Sequence, residues 1–530
     1  MADTTLLHEL IAASACRLPR QPALGFGRVS LDYAGLQETV SAFAGGVLSL
    51  GLAKSERVGV WLDKRVETVA AFFGTALAGG VFVPLNPLLK SAQVAYVLRD
   101  CNVRVLVTTE ERYELLSAEL KNCPDLKHVV VINAETTTQP KIGPRVHLWQ
   151  HLMAAGNRPV NRVIDTDIAA ILYTSGSTGM PKGVVLSHRN MMAGAKSVAS
   201  YLENVPDDTI LAALPLSFDA GLSQLTTAFH VGARVVLINY LLPKDVINAL
   251  VAERVTGLTA VPPLYIQLTQ LPWPDSIAEH LRYFANTGGR MPLETLKALR
   301  SRLPRTKPFL MYGLTEAFRS TYLPPEEVDR RPDSIGKAIP NAEILVLRED
   351  GTPCAPNEPG ELVHRGALVA QGYWNDPEKT AERYKPLRGR ESGLVLPEIA
   401  VFSGDTVRMD EEGFLYFIGR RDEMIKVSGY RVSPTEVEEA LYGTQLVGEA
   451  AAFGVAHPKL GQGIVVVATA KDGAVVDESI LLAACRSNLP AFMIPARIEI
   501  RAGPLPRNPN GKIDRKSLSI EFAGLYDSIP

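Results

Sequence analysis

Apolar residues fall along this chain in short runs, separated by longer stretches with helical spacing. ERVGVWL (56–62) has the length and β-branched content of a strand, KRVETVAAFFGTALAGG (64–80) reads as a helix, and VFVPL (81–85) as a strand again. VAYVLRDC (94–101) followed by VRVLVTT (103–109) repeats the alternation, as do ARVVLINY (233–240), DVINALVAERV (245–255) and GLTAVPP (257–263). This order predicts an α/β fold: helices covering largely parallel sheets, arranged as βαβ-type subdomains. Ligands of such sheets sit in loops beyond the strand ends. IAAILYTS (168–175) predicts a strand feeding one such loop, and GVVLSH (183–188) resumes strand character beyond it.

A second regime begins at Asp422. Ser433 as N-cap, Pro434 at the first helical position and Glu436 make the sequence of a capping box. GEAAAFGVA (448–456), IVVVATA (464–470), a helical ESILLAACRSNL (478–489) and RIEIRAG (497–503) follow, the makings of a small α+β unit. The expected organisation is a large N-terminal domain over 1–421 and a small mobile C-terminal domain over 422–530, linked by the GRRD turn (419–422). KPLRGRESGLVLPE (385–398) is expected to be a surface loop.

Composition narrows the function classes. With 46% hydrophobic and 21% charged residues the chain is a folded protein, and 530 residues exceed one ordinary core. A net charge of -2 without a basic run argues against nucleic acid as a partner. Five cysteines (16, 101, 123, 354, 485) show neither CxxC nor zinc-ligand spacing, which fits reduced, mostly buried thiols in a cytoplasmic protein. The N-terminus carries acids before its apolar residues and reads as an amphipathic helix, not a signal peptide. No apolar run is long enough to span a bilayer.

The chemistry concentrates in YTSGSTGMPKG (173–183). It is not a Walker loop, because Pro181 stands where a glycine must precede the lysine, and no GxGxxG follows an early strand. A polar surface hairpin would also use such residues. Against that stands the density of phosphate-compatible groups: Gly176 and Gly179 let backbone N–H groups converge, Ser and Thr hydroxyls add donors, and Lys182 adds charge.

With the V-x-L-S-H that follows it, this loop resembles the signature of the AMP-forming adenylating enzymes: acyl-CoA synthetases, peptide-synthetase adenylation domains and luciferases. MYGLTEA (311–317), GYWNDPEKT (372–380), FSGDTVRMDEEGFLYFIGRRDEMIKVSGYRVSPTEVE (402–438) and NPNGKIDRKSL (508–518) match further blocks of that family in order. The likeness spans essentially the whole chain, and within the family it is similar to acyl-CoA ligases associated with exosortase gene clusters.

The resemblance implies two half-reactions: a carboxylic acid and ATP give acyl-AMP and pyrophosphate, then a thiol takes the acyl group. It implies that Thr174, Ser175, Gly176, Ser177, Thr178, Gly179 and Lys182 hold the β- and γ-phosphates. Glu316 would contact Mg²⁺, Thr315 the α-phosphate, and Tyr312 with Gly313 the adenine. Asp405 would take the ribose hydroxyls, Arg420 would reach the ribose or phosphate, and Gly288 and Gly289 would flank the adenine or acyl pocket. Lys512 would neutralise charge between carboxylate and α-phosphate. Asp422 would be the hinge of a domain rotation that turns Gly429 toward the thiol.

The acid itself is left open. Phe218-Asp219 resembles amino-acid adenylation domains, where the Asp pairs with an ammonium, but Asp219 could equally cap the helix beginning DAGLSQ. Arg290 departs from the family pattern and is a tentative pocket residue. The thiol is expected to be CoA, with phosphopantetheine of a separate acyl or peptidyl carrier protein as the alternative. A luciferase-like oxygenase and a non-catalytic nucleotide binder are remote alternatives.

Overall fold

The computed structural model describes residues 4–136, 143–156, 160–174, 181–387, 397–420, 423–427, 430–457, 460–472, 474–508 and 511–526. Two large, mainly parallel sheets dominate the first 340 residues. One has nine strands in the order 337–338, 321–323, 307–312, 283–286, 257–260, 209–212, 234–237, 22–26, 29–32, and the other has seven in the order 145–148, 128–132, 103–109, 57–61, 81–84, 168–174, 182–187. The strand and helix assignments expected from 56–109 and 233–263 all appear where the periodicity put them.

Side chains alternate along a strand, so each sheet must be covered on both faces. In Thr209–Ala212, Ile210 and Ala212 join one core cluster while Leu211 joins another on the opposite face. The shared cluster also takes Leu172 and Leu186 from the second sheet, together with Phe43, Phe72, Met191 and Phe229 from four helices. Those helices, Tyr33–Ser49, Val66–Leu77, His188–Tyr201 and Asp219–Val231, are therefore sandwiched between the two sheets. Close packing there demands glycine at one point: a Cβ on Gly221 would lie 1.7 Å from the Pro215 carbonyl oxygen.

The structure adds one feature to the expected fold and corrects two expectations. First, the βαβ alternation stops near residue 340: strands 342–347, 360–366, 399–409, 384–386 and 415–420 pair antiparallel as a third sheet. Second, Ser433 is the N-cap of helix Pro434–Tyr442, but the capping box does not form. The Ser433 hydroxyl shares a 2.7 Å hydrogen bond with Thr435, and the Glu436 carboxyl feels the charge of Arg290 in the large domain. Third, Lys385 and Pro386, expected in a loop, end strand Tyr384–Pro386, paired to 399–401; residues 388–396 lie outside the described residues.

Beyond 423 a fourth, five-stranded sheet carries helices Pro434–Tyr442 and Glu478–Asn488, the expected α+β unit with its own core. It docks on the large domain through helix Leu293–Arg302, where the Leu293 N–H donates to Glu439 (3.1 Å) and Gln445 donates to Glu294 (3.0 Å). All five cysteines are free, and Cys101, Cys123 and Cys485 are buried. Among the described residues no helix is long and apolar enough to cross a membrane.

Candidate active site

The two strands that flank the glycine- and serine-rich segment pair antiparallel. Thr174 ends one strand directly opposite Lys182, which starts the next. Ser175, Gly176, Ser177, Thr178 and Gly179 lie outside the described residues, as do Asp422 and Gly429. The two anchors place the loop at the C-terminal end of strand Ile168–Thr174, where ligands of α/β sheets gather.

Segment 371–374 runs beside strand Lys182–Ser187, bridging Val184 to Tyr373, with the Trp374 N–H donating to the Gly183 carbonyl (2.7 Å). That pairing delivers Tyr373 to the site. Its hydroxyl donates to Glu316 Oε1 at 2.6 Å, and the Lys182 ammonium lies 5.3 Å from its ring centroid. Burial and the neighbouring Glu316 charge push the Tyr373 phenol up, so it stays a donor. Thr315 and Glu316 sit on the single turn Thr315–Ala317, just past strand Lys307–Tyr312.

Among the described residues no three acids, histidines or cysteines converge as a metal site. A magnesium ion held by one carboxylate and by substrate phosphates fits that donor set, with Glu316 as the carboxylate.

Tyr312 donates to Asp405, and Arg420 stands directly opposite Asp405 across its sheet, with Nη1 3.4 Å from Oδ1. Burial pushes the Asp405 carboxyl up, opposed by Arg420. Asp405 Oδ1 is buried without a hydrogen-bond donor, which is what an acceptor for sugar hydroxyls requires. The backbone at Gly313 packs tightly: a Cβ there would come 3.1 Å from Arg319 Cα.

Lys512 arrives from the small domain on a tight turn, with Asn508 and Lys512 exchanging backbone and side-chain hydrogen bonds (2.8 and 3.1 Å). Two ion pairs fix that turn. Arg507 bonds the Gly511 carbonyl (2.7 Å) and pairs with Glu449, while Arg515 forks onto buried Glu438 (2.8 Å). The Lys512 Cε lies 3.7 Å from where a Cβ on Gly288 would stand, and Gly288 has φ +77°. A side chain at 288 would be strained by that backbone angle and would press on Val261, whose Cγ1 would lie 3.2 Å from its Cβ. The Lys512 charge acts on both Asp219 and Asp405, lowering two carboxyls that burial raises.

Asp219 is the first residue of helix Asp219–Val231, and Phe218 is its N-cap. The Asp219 side chain makes no cap; it accepts the Thr315 hydroxyl (3.1 Å) and pairs with Arg319 at 3.5 Å. Arg319 is held in turn by Thr287 (2.9 Å). The backbone turns sharply just before it, at Phe318 with φ +57°, and this strained turn aims Arg319 into the interior. Neither Phe218 nor Arg290 lines the cavity beyond; Arg290 faces Glu436 at the domain interface instead. Arg319, Thr287 and Tyr373 escaped the sequence reading. Arg319 and Tyr373 lie inside or beside matched blocks, but nothing in their spacing gives their partners.

A sequence profile of the AMP-binding enzyme family matches residues 11–374, more than half of the chain, around the sites just described. The chain belongs to the AMP-binding enzyme family. A second profile, for the AMP-binding enzyme C-terminal domain, matches residues 436–512 and so reaches Lys512. This AMP-binding enzyme is an AMP-forming ligase. It is 29% identical to the long-chain-fatty-acid–CoA ligase of Salmonella typhimurium, over 98% of this chain and 95% of that one. It is equally 29% identical to the L-proline–[L-prolyl-carrier protein] ligase of Pseudomonas fluorescens, over 98% and 100%. It also matches a linear gramicidin synthase of Brevibacillus parabrevis at 29%, over 97% of this chain but only 6% of that much longer one. Among solved structures, an anthranilate CoA ligase with anthranoyl-AMP superposes with a TM-score of 0.87 at 23% identity, covering 98% and 97%. The o-succinylbenzoate CoA synthetase of Bacillus subtilis with ATP and magnesium gives 0.80 at 26%, covering 96% and 98%.

Proposed function

We propose that this ligase activates a carboxylic acid with ATP, forming acyl-AMP and pyrophosphate, and then transfers the acyl group to CoA. In the first half-reaction a carboxylate oxygen attacks the α-phosphorus and pyrophosphate leaves. Both reactants are anions, so the site must supply positive charge where they meet. The observation that carries the reading is the delivery of Lys512 from the small domain to the Gly288 turn, within electrostatic reach of both Asp219 and Asp405. In this reading Asp405 accepts the ribose hydroxyls and Arg420 steadies Asp405. Lys182 and the glycine- and serine-rich segment take the outer phosphates. Glu316, held by Tyr373, is the protein's contact for Mg²⁺, which offsets phosphate charge when bound.

In the second half-reaction the thiol sulfur attacks the acyl carbon and AMP leaves. The small domain turns about Asp422 to admit the thiol, so the functional boundary lies at 421/422. A reaction that draws on ATP and CoA belongs in the cytoplasm, and five free thiols fit that compartment. A carrier-bound phosphopantetheine in place of CoA is the second reading, favoured by the likeness to the prolyl-carrier ligase. The test is acid-dependent ATP–pyrophosphate exchange, followed by thioester formation with CoA or with carrier proteins. Acid-dependent exchange and acyl-CoA formation are expected. Exchange completed only by a carrier protein would replace CoA as the acceptor, and no exchange with any acid would end the proposal.

A further inference from the structure

Beyond the Asp219–Arg319 pair lies an interior cavity of about 10 Å³, the room that one small polar group or water needs. Its wall is mixed, with Val198, Leu202, Ala220 and Met311 supplying an apolar part and a set of buried polar side chains the rest. Helix Asp219–Val231 turns Ser223, Gln224 and Thr227 toward it, positions spaced along one helix face, and Thr259 and Arg319 close the far side with Ile210. All five polar residues are more than nine-tenths buried.

Two of their polar atoms are left over. Gln224 Oε1 is buried and receives no hydrogen bond, its amide nitrogen making only a long contact to the Gly221 carbonyl (3.4 Å). Arg319 Nε is buried and donates to nothing, since its Nη1 serves both Thr287 and Asp219. An orphaned acceptor and an orphaned donor on one small cavity cost free energy unless a water or a ligand group that displaces it answers both.

Building on the ligase reading, we infer that the acid is a short one bearing a hydroxyl, which donates to Gln224 Oε1 and accepts from Arg319 Nε. A hydroxyl is the smallest group that does both. An alkyl chain laid here would leave both atoms unmet. An ammonium would face a guanidinium, because the carboxylate that could receive it, Asp219, is already paired with Arg319. The cavity adjoins the acid side of the site through Arg319, which lines it and pairs with Asp219, the acceptor of the Thr315 hydroxyl.

Pyrophosphate exchange should be measured with hydroxy acids, unsubstituted acids and amino acids of equal, short carbon number. The expected result is kcat/KM higher for a hydroxy acid than for its unsubstituted counterpart, on the order of tenfold to a hundredfold. Gln224→Met, close in volume and suited to a helix, should collapse that ratio mainly by lowering the hydroxy-acid value. Ser223→Ala, which leaves both orphaned atoms in place, should keep it. Preference for the unsubstituted acid or the amino acid, or a ratio unchanged in Gln224→Met, would overturn the inference while leaving the ligase reading intact. Absence of exchange with every acid would overturn both.

Discussion

Replacing Tyr373 by Phe removes a single oxygen from the magnesium side of the site. The ring should stay where it is, because its backbone is pinned: Tyr373 N–H donates to Thr380 (2.9 Å) and the segment bridges to Val184. Lys182 keeps its place over the ring. What disappears is the 2.6 Å donor to Glu316. A hydrogen bond to a charged group is worth about 1.5–3 kcal/mol, or about 10- to 150-fold in any rate that needs Glu316 held in one orientation. Pyrophosphate exchange measured against magnesium concentration reads this directly. The variant should lose that factor at limiting magnesium, recover part of it near saturation, and keep its thermal midpoint within a few degrees. Wild-type exchange at every magnesium concentration would refute the idea that Tyr373 positions Glu316.

Gly221→Ala puts a Cβ 1.7 Å from the Pro215 carbonyl oxygen, so helix Asp219–Val231 cannot stay seated, and the thermal midpoint should fall by several degrees or folding should fail. Buried His188 and His364 are each held down to about 4, chiefly by burial, so both fold as neutral rings. Their folded pKa values lie below the unfolded 6.5, so their stability is present above pH 6.5 and lost as pH falls toward 4. Each costs up to about 1.4 kcal/mol per pH unit as pH falls through that window, and the midpoints of denaturant melts should drop accordingly. Asp422→Pro should leave acyl-AMP formation intact and block thioester formation; survival of both half-reactions would contradict rotation about that residue.

How much of this was legible beforehand follows from where the information lies. Strands and helices in 56–109 and 233–263 declared themselves because both faces of each sheet are covered, so apolar runs mark them directly. The third sheet did not, since its antiparallel strands between 342 and 420 are joined by mostly long, irregular connections that the βαβ pattern does not anticipate. Lys512, Asp405 and Glu316 were readable only through matched blocks; alone, each is an ordinary charged residue near a turn. Tyr373 meets Glu316 across 57 positions and Arg319 meets Asp219 across a hundred, contacts that tertiary pairing creates and no local spacing encodes. The capping box at Ser433 does not form because the Ser433 hydroxyl bonds Thr435 instead, a rotamer choice that the motif does not encode.

The central claim is that Lys512 supplies charge to the first half-reaction alone. The two half-reactions of wild type and Lys512→Ala should therefore be timed separately, one from acid and ATP, the other from supplied acyl-AMP and CoA. Acyl-AMP formation should fall by on the order of a hundredfold or more in the variant, with thioester formation much less affected. Equal losses in both halves, or none in the first, would contradict it.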